Sequence, residues 1–96
     1  MILQAFLGAA FLFNGIPHLV KGSAGEKHMT PFHRQSSAIV NVIWGFVNIL
    51  IGIFILGTST FSGGDIWAFF AGGLFMSLAD AWLFSKPDAK FPWQKD

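Results

Sequence analysis

The sequence predicts an all-α, membrane-embedded bundle of three transmembrane helices. Three apolar runs, Ile2 to Val20, Ala38 to Leu56 and Ile66 to Phe84, each come close to the ~20 residues a helix needs to cross the hydrocarbon core. Only 11 % of the 96 residues are charged, against about 25 % in a soluble domain, so the polar cover for a water-facing surface is missing. Hydrophobic residues make up 53 %, with 12 Phe and 4 Trp, more than so small a chain can hide in a core of its own. The bilayer is the solvent this composition fits, and residues 1–96 read as a single domain.

The first run lacks a basic leader and a small-residue cleavage site, so it reads as a retained span rather than a cleaved signal. A polar loop, 21–37, follows, with Gly22, Gly25 and Pro31 as breakers. Ser36 or Ser37 is placed to N-cap the second helix, and Ser62 followed by Asp65 resembles a capping box opening the third. Asp80 interrupts the third run without ending it. The tail, 85–96, holds Pro87 and Pro92 and should not extend the helix far. All six Lys and Arg residues fall on one side: Lys21, Lys27 and Arg34 in the loop, Lys86, Lys90 and Lys95 in the tail. The positive-inside rule then puts loop and tail in the cytoplasm and the N-terminus outside. Trp67 and Trp82 suit interfacial anchors at the two ends of the third span, and Trp93 suits the headgroups.

Helical spacing separates the faces. In the second span Ser37, Asn41, Trp44, Gly45, Asn48 and Gly52 share one side, while Ile39, Ile43, Phe46, Leu50, Ile53 and Phe54 share the other. The small and polar side suits contact with another helix, of this chain or of a neighbouring subunit, and the bulky side suits lipid. The first span gives a stripe of Gln4, Leu7, Phe11, Asn14 and His18. The third gives Phe69, Gly73, Met76, Ser77, Asp80 and Phe84. If these sides converge, Asn14, His18, Asn41 and Asp80 fall in one layer near the loop end, with Asn48 deeper.

That layer is the candidate site. A carboxylate in hydrocarbon pairs, protonates or lines water, and His18 is a natural partner for Asp80 in moving protons. Gly15 and Pro17 predict a helix break beside Asn14, since Pro lacks an N–H and crowds the carbonyl of Phe13. The plainer reading is that the Asn residues glue helices together, and that Asp80 and His18 sit near enough to the interface to reach water. A metal set drawn from His18, Glu26, His28, His33 and Asp80 lacks any helical ligand spacing, so no metal ligand is assigned. No nucleophile–base–orienter set appears, so no catalytic residue is assigned, and the Gly pairs at 63–64 and 72–73 form no phosphate loop. No cofactor is called for. The absence of Cys removes disulfides and thiolate chemistry, and a net charge of +1 gives nucleic acid no footprint.

The stretches "FNGIPHLVKG", "TPF" at 30–32 and "NVIWGFVNILIG" at 41–52 resemble small bacterial integral membrane proteins in which N-G-x-P-H ends the first span and N-x-x-W-G-x-x-N marks the second. The opening "FLGAAFLFNGIPHLVKG" is also similar to the first span of DoxX-like proteins, which usually have four spans, some of them subunits of membrane redox complexes. The resemblance implies a multi-pass protein of the bacterial inner membrane and no activity. The first functional expectation is action by assembly with itself or with other membrane subunits, through the 41–52 face. The second is a minimal oligomeric channel or transporter for a proton, cation or small solute that uses Asp80 and His18. The third is a membrane redox or metal-binding subunit.

Overall fold

The computed structural model describes residues 1–57 and 60–94. Its elements are three helices, α1 (Ile2–Ser23), α2 (Ala38–Leu56) and α3 (Asp65–Phe84), each long and apolar enough to cross a membrane. At 1.5 Å per residue they measure about 30 Å, the thickness of the hydrocarbon core. Lys95 lies outside the described residues.

The helix ends follow from local chemistry. Ser37 is the N-cap of α2, its hydroxyl accepting from the Val40 N–H at 3.2 Å. Ser37 is therefore an exposed cap and not part of a helix contact. The box at the start of α3 is only half formed. Asp65 accepts from the Ser62 N–H at 3.3 Å, but Gly64 is the N-cap and no side chain caps the helix. Asp65 also pairs with the Met1 ammonium at 3.2 Å, tying the start of α1 to the start of α3. Gln4 donates to the Ile55 carbonyl at 2.7 Å, serving the open end of α2.

α1 is one uninterrupted helix through Gly15 and Pro17, so the expected break is absent. Pro17 forgoes a single hydrogen bond, a loss that membrane helices tolerate. Gly15 serves packing instead: a Cβ there would lie 2.5 Å from the Gly45 carbonyl oxygen. It belongs to a seam. Gly8, Gly15 and Gly22 recur every seven residues on α1 and face Gly52, Gly45 and Ala38, which recur every seven on α2 in the opposite direction. Added Cβ atoms at Gly45 and Gly52 would lie 2.8 Å from Leu19 N and 2.7 Å from Gly8 O. The backbones approach because nothing stands between them. A seven-residue period is the spacing that keeps a seam in line between helices coiled left-handedly about each other.

α3 packs on a different side of α1. A Cβ at Gly72 would press into the Phe6 backbone and one at Gly73 into the Phe13 ring. Phe6–Phe75 and Phe13–Phe69 ring pairs flank this contact. Among the described residues no Cα of α2 comes within 8 Å of a Cα of α3. The three small faces therefore do not all converge; α1 is a spine with α2 and α3 on separate flanks. The buried positions of α2 are Asn41, Gly45, Asn48 and Gly52, and α1 of the same chain covers them. That face is not free for a partner. Trp44 stands at its edge, its ring set against Phe32 of the loop at 5.1 Å. Leu7 and Ser77, assigned to inward stripes, are exposed, because α1 turns its Gly and Ala residues inward. The aliphatic face of α2 points outward as expected, Phe54 being 85 % exposed.

Gly45→Ala should force the α1–α2 backbones apart and cost about 1–3 kcal/mol, as overpacking does. Gly64→Ala, whose Cβ would sit 3.5 Å from Ile2, should cost little. Thermal unfolding in mild detergent reads both, with Gly45→Ala melting below wild type and Gly64→Ala close to it.

Candidate functional site

The seam brings short amides within reach of one another. Asn41, fully buried, turns its Nδ2 to the carbonyls of His28, Ser36 and Ser37 at 3.0, 3.1 and 3.0 Å. Its Oδ1 is left to face His18 Nδ1 at 2.9 Å. An amide oxygen only accepts, so His18 carries a proton on Nδ1, and in the neutral ring Nε2 is the bare nitrogen.

About two turns further along α2, Asn48 donates from Nδ2 to the Trp44 carbonyl at 2.9 Å and presents Oδ1 to Asn14 at 3.0 Å. The other end of the Asn14 amide lies 2.8 and 3.0 Å from the two carboxyl oxygens of Asp80. The polarity of this row is fixed from one side. Asn48 cannot turn over without setting its oxygen against a carbonyl, so Asn14 must offer Nδ2 to it. The Asn14 oxygen then faces Asp80, and the row closes only if Asp80 donates, as a carboxylic acid. A carboxylate would instead accept from Asn14 Nδ2, which leaves the Asn14 and Asn48 oxygens facing each other. One proton decides whether Asn14 is bonded to α2 and α3 together or to α3 alone.

The structure thus brings Asn14, Asn48 and Asp80 into one row and His18 and Asn41 into a neighbouring pair. No hydrogen bond joins His18 to Asp80 among the described residues; each takes an Asn instead. Asn48 is level with Asn14 because the antiparallel seam sets them opposite. A cavity of about 360 Å³ opens between α2 and α3, with Asn14, His18 and Asp80 on its floor and Trp44, Met76 and Leu83 on its walls. A second, of about 620 Å³, runs along α1 and α3 past Pro17 and also reaches Asp80.

The loop is a folded cap rather than a solvated strand. His28 N bonds the Ser36 carbonyl at 3.1 Å, and the buried Thr30 and Ser36 hydroxyls share a 2.6 Å hydrogen bond. The tail is fastened to it. Arg34 donates to the carbonyls of Ala89 and Pro87 at 3.0 and 3.1 Å, and Gln94 donates to that of Thr30 at 2.6 Å. Trp93, expected among headgroups, donates to the Pro31 carbonyl at 2.8 Å and stacks on Phe91. No local sequence signal marks these bonds, because each joins residues more than 50 positions apart. His28 packs edge-on to Phe84 at 4.3 Å and lies 5.2 Å from the His18 ring, while His33 is exposed and accepts from the Gln35 N–H. Among the described residues no three His, Cys, Asp or Glu side chains gather as a metal site would need.

No family model, curated protein or solved structure matches the chain.

Burial pushes the His28 pKa down from 6.5 to about 4, helped by the charges of His18 and Lys21 and opposed by Glu26. Above pH 6.5 the ring is neutral whether the chain is folded or not. Between 6.5 and 4 the unfolded chain binds a proton that the folded one refuses, so stability falls with pH across that window. Melting temperature should therefore drop from pH 7 to pH 4, and His28→Phe should flatten the drop. An equally steep drop in the variant would assign it to other groups.

Proposed function

We propose that the chain is a small multi-pass protein of the bacterial inner membrane that acts by assembly, as a homo-oligomer or an accessory subunit of a larger membrane complex. The observation that supports this reading is the open cleft. The α2 and α3 backbones stand apart, and the cleft between them is lined by Asn14, His18 and Asp80 within an otherwise apolar wall. A helix from a second copy or another subunit would complete it and shield the carboxyl from lipid. The contact moves from the 41–52 face, which α1 occupies, to this cleft. Lys21, Lys27, Arg34, Lys86 and Lys90 belong to the loop end of the bundle, which favours a cytoplasmic loop and tail and an external N-terminus.

A second reading, a proton or small-solute path, is favoured by one specific observation: Asp80 lines both cavities, on either side of the α1–α3 contact. The one-proton logic of the Asp80–Asn14–Asn48 row suits a group that loads and releases a proton.

Native mass spectrometry from mild detergent should find a multimer or a bound membrane polypeptide, and Ala79→Trp, which fills the cleft, should leave the monomer. A monomer in detergent that also fails to crosslink in bilayers would overturn the assembly reading. In proteoliposomes Asp80→Asn keeps a donor for Asn14 and should fold, yet it should abolish any proton flux. Undiminished flux removes Asp80 from a path.

A further inference from the structure

The basic end of the bundle holds a third, smaller pocket that the polar layer does not use. It measures about 140 Å³ and is lined by Lys27, Arg34 and Lys86 together with His28, with no acidic side chain on its wall. Arg34 is fixed there: Nε and Nη2 are bound to tail carbonyls, and the rest of its five N–H donors remain to serve a ligand. Lys86 is held with its ammonium 3.5 Å from the centre of the Trp82 ring, at the end of α3. The tail and loop, which sequence alone leaves as separate basic segments, are bonded into one wall.

This pocket adjoins the larger groove of about 620 Å³, the packed rings of His28 and Phe84 lining both. Phe13, Ile16 and Val20 of α1 and Ala81 of α3 make that groove apolar over about 10 Å of helix length. The acids nearby are accounted for. Glu26 is paired with Lys21 at 3.1 Å, Asp80 is turned to Asn14, and Asp88 does not line the pocket. The Nε2 of His28, at the junction, is buried with no hydrogen-bond partner among the described residues. A cationic pocket at the end of a membrane bundle, beside an apolar groove, matches a molecule with a phosphate at one end and a hydrocarbon chain at the other.

We propose that Lys27, Arg34 and Lys86 bind the phosphate of an anionic phospholipid, with one acyl chain lying along the groove between α1 and α3. The phosphate chemistry alone would also admit a free phosphate ion; the adjoining groove favours the lipid. The site goes beyond the assembly reading and does not depend on it.

The test is lipid retention by native mass spectrometry, with phosphatidylglycerol or phosphatidylcholine added to the protein in mild detergent. One phosphatidylglycerol should be retained in preference to phosphatidylcholine. The double substitution Lys27→Gln, Lys86→Gln, at two exposed positions, should weaken retention at least about tenfold. Lys90→Gln, on the same tail but outside the pocket, should leave it intact. Ala81→Trp, which blocks the groove, should also expel the lipid. Circular dichroism and melting of each variant establish that it is folded. Equal retention of the two lipids, or equal loss in Lys90→Gln, would overturn the site in favour of diffuse surface charge. Displacement by inorganic phosphate with no effect of Ala81→Trp would overturn the lipid assignment in favour of a free anion.

Discussion

The polar interior of this protein depends on how closely the backbones of α1 and α2 approach. Lipid tails give two helices no hydrophobic reason to associate, so the contact rests on packing and on bonds across it. The seam of Gly8, Gly15 and Gly22 against Gly52, Gly45 and Ala38 supplies the packing. Its second effect is on reach. Asn is a short side chain, and across helices spaced at the usual 8–10 Å by Leu or Ile it would fall short of a partner. With glycine at the contact, Asn14 meets Asn48 at 3.0 Å and His18 meets Asn41 at 2.9 Å.

The amides in turn remove a freedom that glycine leaves. A glycine seam that repeats every seven residues is permissive and would accept a slide of about two turns, which would set Gly15 against Gly52 and Gly22 against Gly45. Three polar contacts spaced along α1 forbid the slide: Gln4 at the end of α2, Asn14 at its middle and His18 near its start. Each would leave a buried group unpaired on slipping, at about 1–3 kcal/mol apiece. Small residues set the distance and polar residues set the register.

Much of this was legible in the sequence, and the parts that were not share a cause. The spans were readable from hydropathy, and the buried face of α2 from spacing, because both are properties of one helix. Asn14, His18, Asn41 and Asp80 could be placed in one layer by counting turns. Their pairing could not, since it depends on helix rotation: α1 turns Gly8, Gly15 and Gly22 inward, and that brings Asn14 rather than His18 to Asp80. Gly15 beside Pro17 looked like a break because a glycine's partner is invisible without the second helix. The loop and tail looked like solvated charge because Arg34, Trp93 and Gln94 spend their donors on carbonyls of distant residues, and a carbonyl carries no sequence signature.

The separation of the α2 and α3 backbones also bears on cooperativity. In a closed bundle every helix feels the loss of any other. Here α1 and α2 form a hairpin that is complete in its own contacts, and α3 is bound to one flank of it through Gly72, Gly73, the Phe pairs and Asp80. The two interfaces are separable free energies that share a single helix. α3 is also tied at its two ends, by Asp65 to Met1 and by the tail that follows it to the loop, so releasing it means breaking those bonds as well as its contact with α1.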